Sequence, residues 1–212
     1  MASNASPLRY YSRPLFPMTK HAFFLATLLL ACAHAVFAAG ETPPVSNLPE
    51  LARRQIGVTT IYDPSYAVIS YPMGDVPADR GVCTDVIIRA FRARGLDLQR
   101  AVHEDMARHF NAYPRLWGLK KPDRNIDHRR VPNLMTWFSR QGWKLPVTKE
   151  AADYLPGDIV TCLVGGTLPH IMIVSDRKTE TGEPLVIHNI GSGTQEEAVL
   201  FAFPLTGHYR PK

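Results

Sequence analysis

Pro156-Gly157-Asp158-Ile159-Val160-Thr161-Cys162-Leu163-Val164 opens the part of the chain that decides the fold. A proline-glycine turn feeds a run rich in β-branched residues, the composition of a buried strand. Gly165-Gly166 and Pro169 break it, and His170-Ile171-Met172-Ile173-Val174-Ser175 reads as a second strand. The polar segment from Asp176 to Pro184, holding Gly182, is a hairpin loop leading to Leu185-Val186-Ile187-His188-Asn189-Ile190. Gly191-Ser192-Gly193 turns the chain again, and Ala198 to Phe203 is expected as the last strand. Strands joined by connections this short pair antiparallel.

Upstream of this run the apolar period changes from two to that of a helix. Pro132 to Gly142 places Leu134, Trp137 and Phe138 at i, i+3 and i+4, with Gly142 as the stop; Leu98 to Phe110 places Val102, Met106 and Phe110 at i, i+4 and i+8. Gly81 to Gly95 has Val82, Val86, Ile87, Ala90 and Phe91 on one face. A short helix from Leu48 to Ile56, capped by Asn47, and strands at Val58–Tyr62 and Ala67–Tyr71 complete the expected elements. Between the second and third long helices, Tyr113 to Arg130 is irregular and holds aromatic residues, prolines and the cluster Asp127-His128-Arg129-Arg130, the make-up of a binding loop. Helices first and a run of strands afterwards predict an α+β domain with an antiparallel sheet, spanning residues 48–212.

The first 38 residues read as a leader. Ala22 to Ala39 is almost wholly apolar, follows Lys20 and ends in small residues, with Val36-Phe37-Ala38 as the cleavage site and Met18 as an alternative start to Met1. Leu29-Leu30-Ala31-Cys32 resembles a lipobox that would make Cys32 a lipidated N-terminus, although the apolar run continues past it. Residues 39–47 are a linker. Export to the periplasm or cell envelope follows, with membrane contact only through an uncleaved leader or a lipidated Cys32. The formal charge of +5 includes Arg9, Arg13 and Lys20 of the leader; without them 21 basic residues face 19 acidic ones, which gives no reason to propose nucleic-acid binding.

Cys83 stands in the first turn of a predicted helix, where unpaired backbone N–H groups and the helix dipole favour thiolate over thiol. The competing readings are a small buried hydrophobe, or a disulfide with Cys162, the other cysteine past the leader. A nucleophilic thiol needs a base, and the base needs a group that fixes its tautomer. His170 at the start of one strand and His188 near the end of the next supply both across a hairpin, with Asn189 as the alternative third member. Zinc, which the same residue types bind, is disfavoured by a spacing that is no compact metal motif. Neither metal nor cofactor is expected.

These residues carry a resemblance. A cysteine opening a helix, then Pro156-Gly157-Asp158-Ile159-Val160, a strand beginning with histidine and a polar residue one strand later are similar to the papain-like NlpC superfamily of cell-wall cysteine peptidases and amidases. Tyr71-Pro72, Gly81 to Arg89, Asn125-Ile126-Asp127-His128-Arg129-Arg130-Val131 and Pro156 to Val160 resemble, more narrowly and over roughly residues 50–210, the bacterial family catalogued as domain of unknown function number 1287. The resemblance implies a papain-like fold and amide hydrolysis, with peptidoglycan stem peptides as substrate. It implies Cys83 as nucleophile, His170 as base, His188 as orienting residue and Tyr71 as an oxyanion donor. Asp85, where the superfamily has a small residue, and Asp127, His128, Arg129 and Arg130 are the candidate substrate-binding residues. An ester hydrolase or acyltransferase using the same triad, and a non-catalytic envelope-binding module, are the alternatives.

Overall fold

The structure is a computed structural model, and it describes residues 47–212. The expected leader, Cys32 and nearly all of the linker lie outside the described residues.

Four helices precede most of the sheet: α1 (Leu48–Arg53), α2 (Cys83–Ala93), α3 (Leu98–His109) and α4 (Val131–Arg140). A two-stranded parallel ribbon, β1 (Ile61–Tyr62) with β2 (Arg80–Gly81), leads into α2. The main sheet comprises β3 (Lys144–Leu145), β4 (Ile159–Val164), β5 (Leu168–Lys178), β6 (Pro184–Asn189), β7 (Thr194–Glu197) and β8 (Leu205–Tyr209). Its order is β3-β8-β4-β5-β6-β7, and all neighbours are antiparallel. The domain is α+β, as the element order predicted.

Each helix ends where local chemistry requires it. Asp85 accepts a hydrogen bond from the Val82 N–H at 2.7 Å and so satisfies a donor at the start of α2. At its far end Gly95, with φ +95°, lets the Leu96 N–H reach the Phe91 carbonyl and the Gly95 N–H reach that of Arg92. Asp97 caps α3 by accepting from the Gln99 N–H at 3.0 Å. Proline opens α4, where no intrahelical donor is lost. Asn47 stands at the N-cap of α1, but its side chain makes no capping bond.

The helices cover one face of the sheet. Val86, Ile87, Ala90 and Phe91 of α2 pack with Ile159, Ile171, Ile173 and Ile187, while Val160, Cys162, Met172, Val174 and Val186 form a second cluster on the other face with Tyr154 and Leu200. Burial on both faces is why β4 to β6 read as continuous apolar runs. Each such aliphatic side chain contributes roughly 1.5–3 kcal/mol relative to exposure.

Three expectations fail. Ala67–Tyr71 pairs with no strand; within Val58–Tyr62 only the last two residues pair; and Ala198–Phe203 forms no strand, the chain instead placing β7 and β8 on either side of it. Gly193 explains part of this arrangement. Its backbone lies so close to Thr59 and Thr60 that a Cβ would stand 2.6 Å from the Thr59 carbonyl oxygen, which the Thr194 N–H bonds at 2.8 Å. The first residue of β7 is thus anchored to the segment before β1. Among the described residues, no helix is long and apolar enough to cross a membrane.

Candidate active site

The N-terminus of α2 meets the sheet where β5 and β6 part. Their register begins at Ile173↔Ile187 and Val174↔Val186, deeper in the sheet than His170, His188 and Asn189. At this open rim the backbone N–H groups of Ile171 and of Thr84, in the helix's first turn, are near enough to the Cys83 sulfur to favour its thiolate. Asn189 donates to the Gly81 carbonyl at 3.1 Å and its own Oδ1 accepts from the Gly191 N–H, so it holds the segment just before α2. Asn189 is a positioning residue here rather than a partner of His170.

Burial changes the state of the thiol. Cys83 is 5% exposed, and although the two N–H groups pull the other way, loss of water pushes its pKa up to about 12. The resting group is a neutral thiol, against the thiolate that a helix N-terminus alone would favour. Cys83 and Cys162 are both free, and they belong to different core clusters.

One residue before Ile171, His170 begins a hydrogen-bonded series. His170 Nε2 lies 2.8 Å from His188 Nδ1, and His188 Nε2 lies 2.9 Å from Glu197 Oε2. An ionised carboxylate only accepts, so His188 carries its proton on Nε2 and presents a lone pair at Nδ1. His170 must then donate from Nε2, which leaves its own Nδ1 as a lone pair. Both rings are neutral: burial, then the neighbouring His188, lowers the His170 pKa to about 3, and burial outweighs Glu197 in lowering that of His188. The result is a neutral imidazole with its tautomer fixed from two residues away, the form a general base requires.

Glu197 escaped sequence reading. It lies on β7, in register with Val186, while His188 faces Gln195; the carboxylate therefore reaches the ring along the diagonal of neighbouring strands. The sequence signal, a glutamate nine residues after His188, carries meaning only once β7 is placed.

A cleft of about 230 Å³ opens beside Cys83, and its wall includes Tyr62, Trp117, Arg129 and Arg130. Tyr62 is the tyrosine of this cleft. Burial first, and then Cys83 and Asp85, raise its pKa. Tyr71, the expected oxyanion donor, follows another course: joined to Pro72 by a cis peptide bond, it packs edge-on against His103 of α3 at 5.2 Å and under Arg124 at 5.7 Å.

Of the candidate substrate-binding residues, Asp85, Asp127, His128 and Arg129 are buried. Asp85 forms a bidentate pair with Arg129, both contacts 2.9 Å and both side chains 3% exposed. Arg129 reaches on to the carbonyls of Ser65 and Asp63. The acid that departs from the superfamily's pattern therefore caps α2 and locks the loop before α4 onto it. Asp127 accepts from the Asp123 N–H, and burial raises its pKa to about 6. Burial, with Arg129 next, lowers that of His128 to about 3. Arg129 and Arg130 alone of the five line the cleft. Among the described residues, no cluster of His, Cys, Asp and Glu is arranged to hold a metal ion.

The buried ionisable groups make stability pH-dependent. His128 and His170 stay unprotonated in the fold down to about pH 3, whereas an unfolded histidine takes up its proton near 6.5; their stabilising neutrality is lost as pH falls through that window. Asp127 acts oppositely: it is protonated in the fold below about 6 and in the unfolded chain only near 4. Between pH 6 and 4 the unfolded chain thus binds about one more proton, a loss of roughly 1.4 kcal/mol per pH unit, to which His188 adds. Urea unfolding at pH 6, 5 and 4 is expected to show this slope, and equal free energies at the three values would refute it.

Comparison with known proteins agrees on the family. Residues 50–211 match the family model described as Domain of unknown function (DUF1287). The chain is 58% identical over 159 residues to a protein of Escherichia coli (strain K12) named "Uncharacterized protein YijF", covering 75% of this chain and 78% of that protein. No solved structure matches. A match over this length makes the chain a member of the Domain of unknown function (DUF1287) family.

Proposed function

We propose that this chain is an exported cysteine hydrolase of papain-like, NlpC-type architecture that cleaves an amide bond, with a peptidoglycan stem peptide as substrate. The observation that carries this reading is the union of a helix-borne thiol beside Ile171 with the His170–His188–Glu197 series that starts on the neighbouring residue of the same strand.

In the proposed reaction His170 Nδ1 takes the thiol proton as the sulfur attacks the carbonyl carbon. A C–S bond forms, and the carbonyl electron pair moves onto oxygen. The N–H groups of the first turn of α2, and the hydroxyl of Tyr62 in place of Tyr71, are the donors that stabilise this oxyanion. Collapse breaks the C–N bond, and the proton on His170 passes to the leaving amine. Water, deprotonated by His170, then attacks the thioester; the acid is released and the proton returns to the sulfur. Because the thiol rests neutral, proton transfer accompanies attack, and the tautomer set by Glu197 is part of the machinery.

Purified peptidoglycan incubated with the wild-type protein is expected to release peptide fragments that Cys83→Ala does not, and mass spectrometry of a slow acyl substrate is expected to find the acyl group on Cys83. Release no greater than that of the variant would overturn the cell-wall assignment. An acyl adduct elsewhere would overturn the nucleophile. Glu197→Ala is expected to lower kcat about tenfold with KM unchanged, since it frees His188 to adopt the wrong tautomer. An unchanged kcat would remove Glu197 from the series.

A further inference from the structure

We infer that the cleft beside Cys83 is a carboxylate-binding site centred on Arg130, and that the molecule it holds is an anionic peptide whose free carboxylate lies close to the amide under attack. This deepens the hydrolase reading and rests on it for the identity of the scissile bond.

Arg129 and Arg130 are neighbours in sequence, and their charges have different fates. The Arg129 guanidinium is consumed by Asp85 and two backbone carbonyls. The Arg130 guanidinium has, among the described residues, a single hydrogen-bond partner, Asp127, through one Nη1 contact of 3.5 Å. That carboxylate also accepts from the Asp123 N–H, and its burial favours the uncharged form. Nε and Nη2 of Arg130 are left without an acceptor. A guanidinium offers five donors in a planar fork that matches a carboxylate two bonds at a time. Here that fork is held in place, since it lies 4.3 Å over the Trp117 ring with its side chain 17% exposed.

The rest of the wall fits the same ligand. It contains no aspartate or glutamate, and Pro64, Val131, Pro132 and Pro169 make it largely apolar around the arginine. A guanidinium held by one long contact to Asp127, in a largely apolar wall, favours a further anion more than a surface lysine does. Trp117, itself 54% exposed, offers an apolar face to the peptide stem.

The test measures binding separately from turnover. Calorimetry on Cys83→Ala uses the peptide Ala-Glu-Lys-Ala with free carboxylates and its fully amidated counterpart. The acidic peptide is expected to bind about tenfold or more tightly than the amidated one, the scale of a charge-assisted bidentate contact. Arg130→Gln is expected to bring the two within about twofold of each other, and Arg130→Lys to keep part of the difference. Equal binding of the two peptides, retained discrimination in Arg130→Gln, or no binding of either at millimolar concentration would overturn the site. Melting curves of the Arg130 variants that overlay the parent assign any loss to binding rather than to folding. Discrimination without hydrolysis by the wild-type protein would keep the carboxylate site and reject the hydrolase reading; hydrolysis that ignores Arg130 would do the reverse.

Discussion

Hydrolysis by His170→Ala is expected to fall by about 10³–10⁴-fold at pH 7, and the loss is expected to shrink about tenfold for each unit of pH raised up to 10. The reasoning starts from the thiol. With its pKa pushed up to about 12, Cys83 stands five units above neutrality, so only about one molecule in 10⁵ carries a thiolate at pH 7. In the proposed mechanism His170 lets the proton leave the sulfur as the C–S bond forms, so that a free thiolate never has to accumulate. Without His170, the variant must wait for the rare thiolate, whose population rises with hydroxide. The wild type is expected to give a flat profile from about pH 5 to 9, because its base loses a proton already near 3. Rate measurements from pH 6 to 10 on both proteins check this, with thermal melting as the control for folding. A variant within tenfold of wild type at pH 7, or parallel profiles, would remove His170 from the mechanism.

Arg129→Met is expected to cost about 3–5 kcal/mol of folding stability, a fall in Tm of roughly 10 °C. The pair it breaks is among the most buried charge pairs of the domain. Removing the guanidinium strands the Asp85 carboxylate in the core, still bonded to the Val82 N–H but with no counter-ion. Most of the cost is this desolvated charge rather than the lost attraction. The double variant Asp85→Asn, Arg129→Met is therefore expected to be more stable than Arg129→Met alone, because an asparagine oxygen still accepts from Val82 and carries no charge. Chemical unfolding of the three proteins tests both statements; a single variant within 1 kcal/mol of wild type would show that the pair is not under strain from burial.

Much of the architecture was legible before any coordinates. The helices announced themselves through local chemistry: Gly95 and Gly142 at two ends, and apolar faces one turn apart. The central strands did so through continuous β-branched runs. What escaped was polar or distant. Thr194-Gln195-Glu196-Glu197 has no apolar alternation, because β7 is an edge strand whose side chains pair with ions and hydroxyls, and β8 contains a glycine. The apolar segment Ala198–Phe203 looked more like a strand than either, yet it serves as the connection between them. Of the candidate site, the positions of Cys83, His170 and His188 at the ends of recognisable elements are legible in the sequence. Glu197 was hidden with its strand, and the purpose of Asp85 with a partner 44 residues away. Tyr71 had the right residue type and the wrong surroundings; chain distance to Cys83 did not fix which tyrosine faces the sulfur.

The seclusion of Cys83 bears on how the protein would endure the oxidising compartment that the proposed export implies. Peroxide and low-molecular-weight disulfides attack thiolates that they can reach. A neutral sulfur that is 5% exposed is a poor target for both. Under the proposed mechanism, chemical wear would be deferred until a substrate fills the cleft, and the same reliance on a neighbouring base would give this cysteine oxidative endurance.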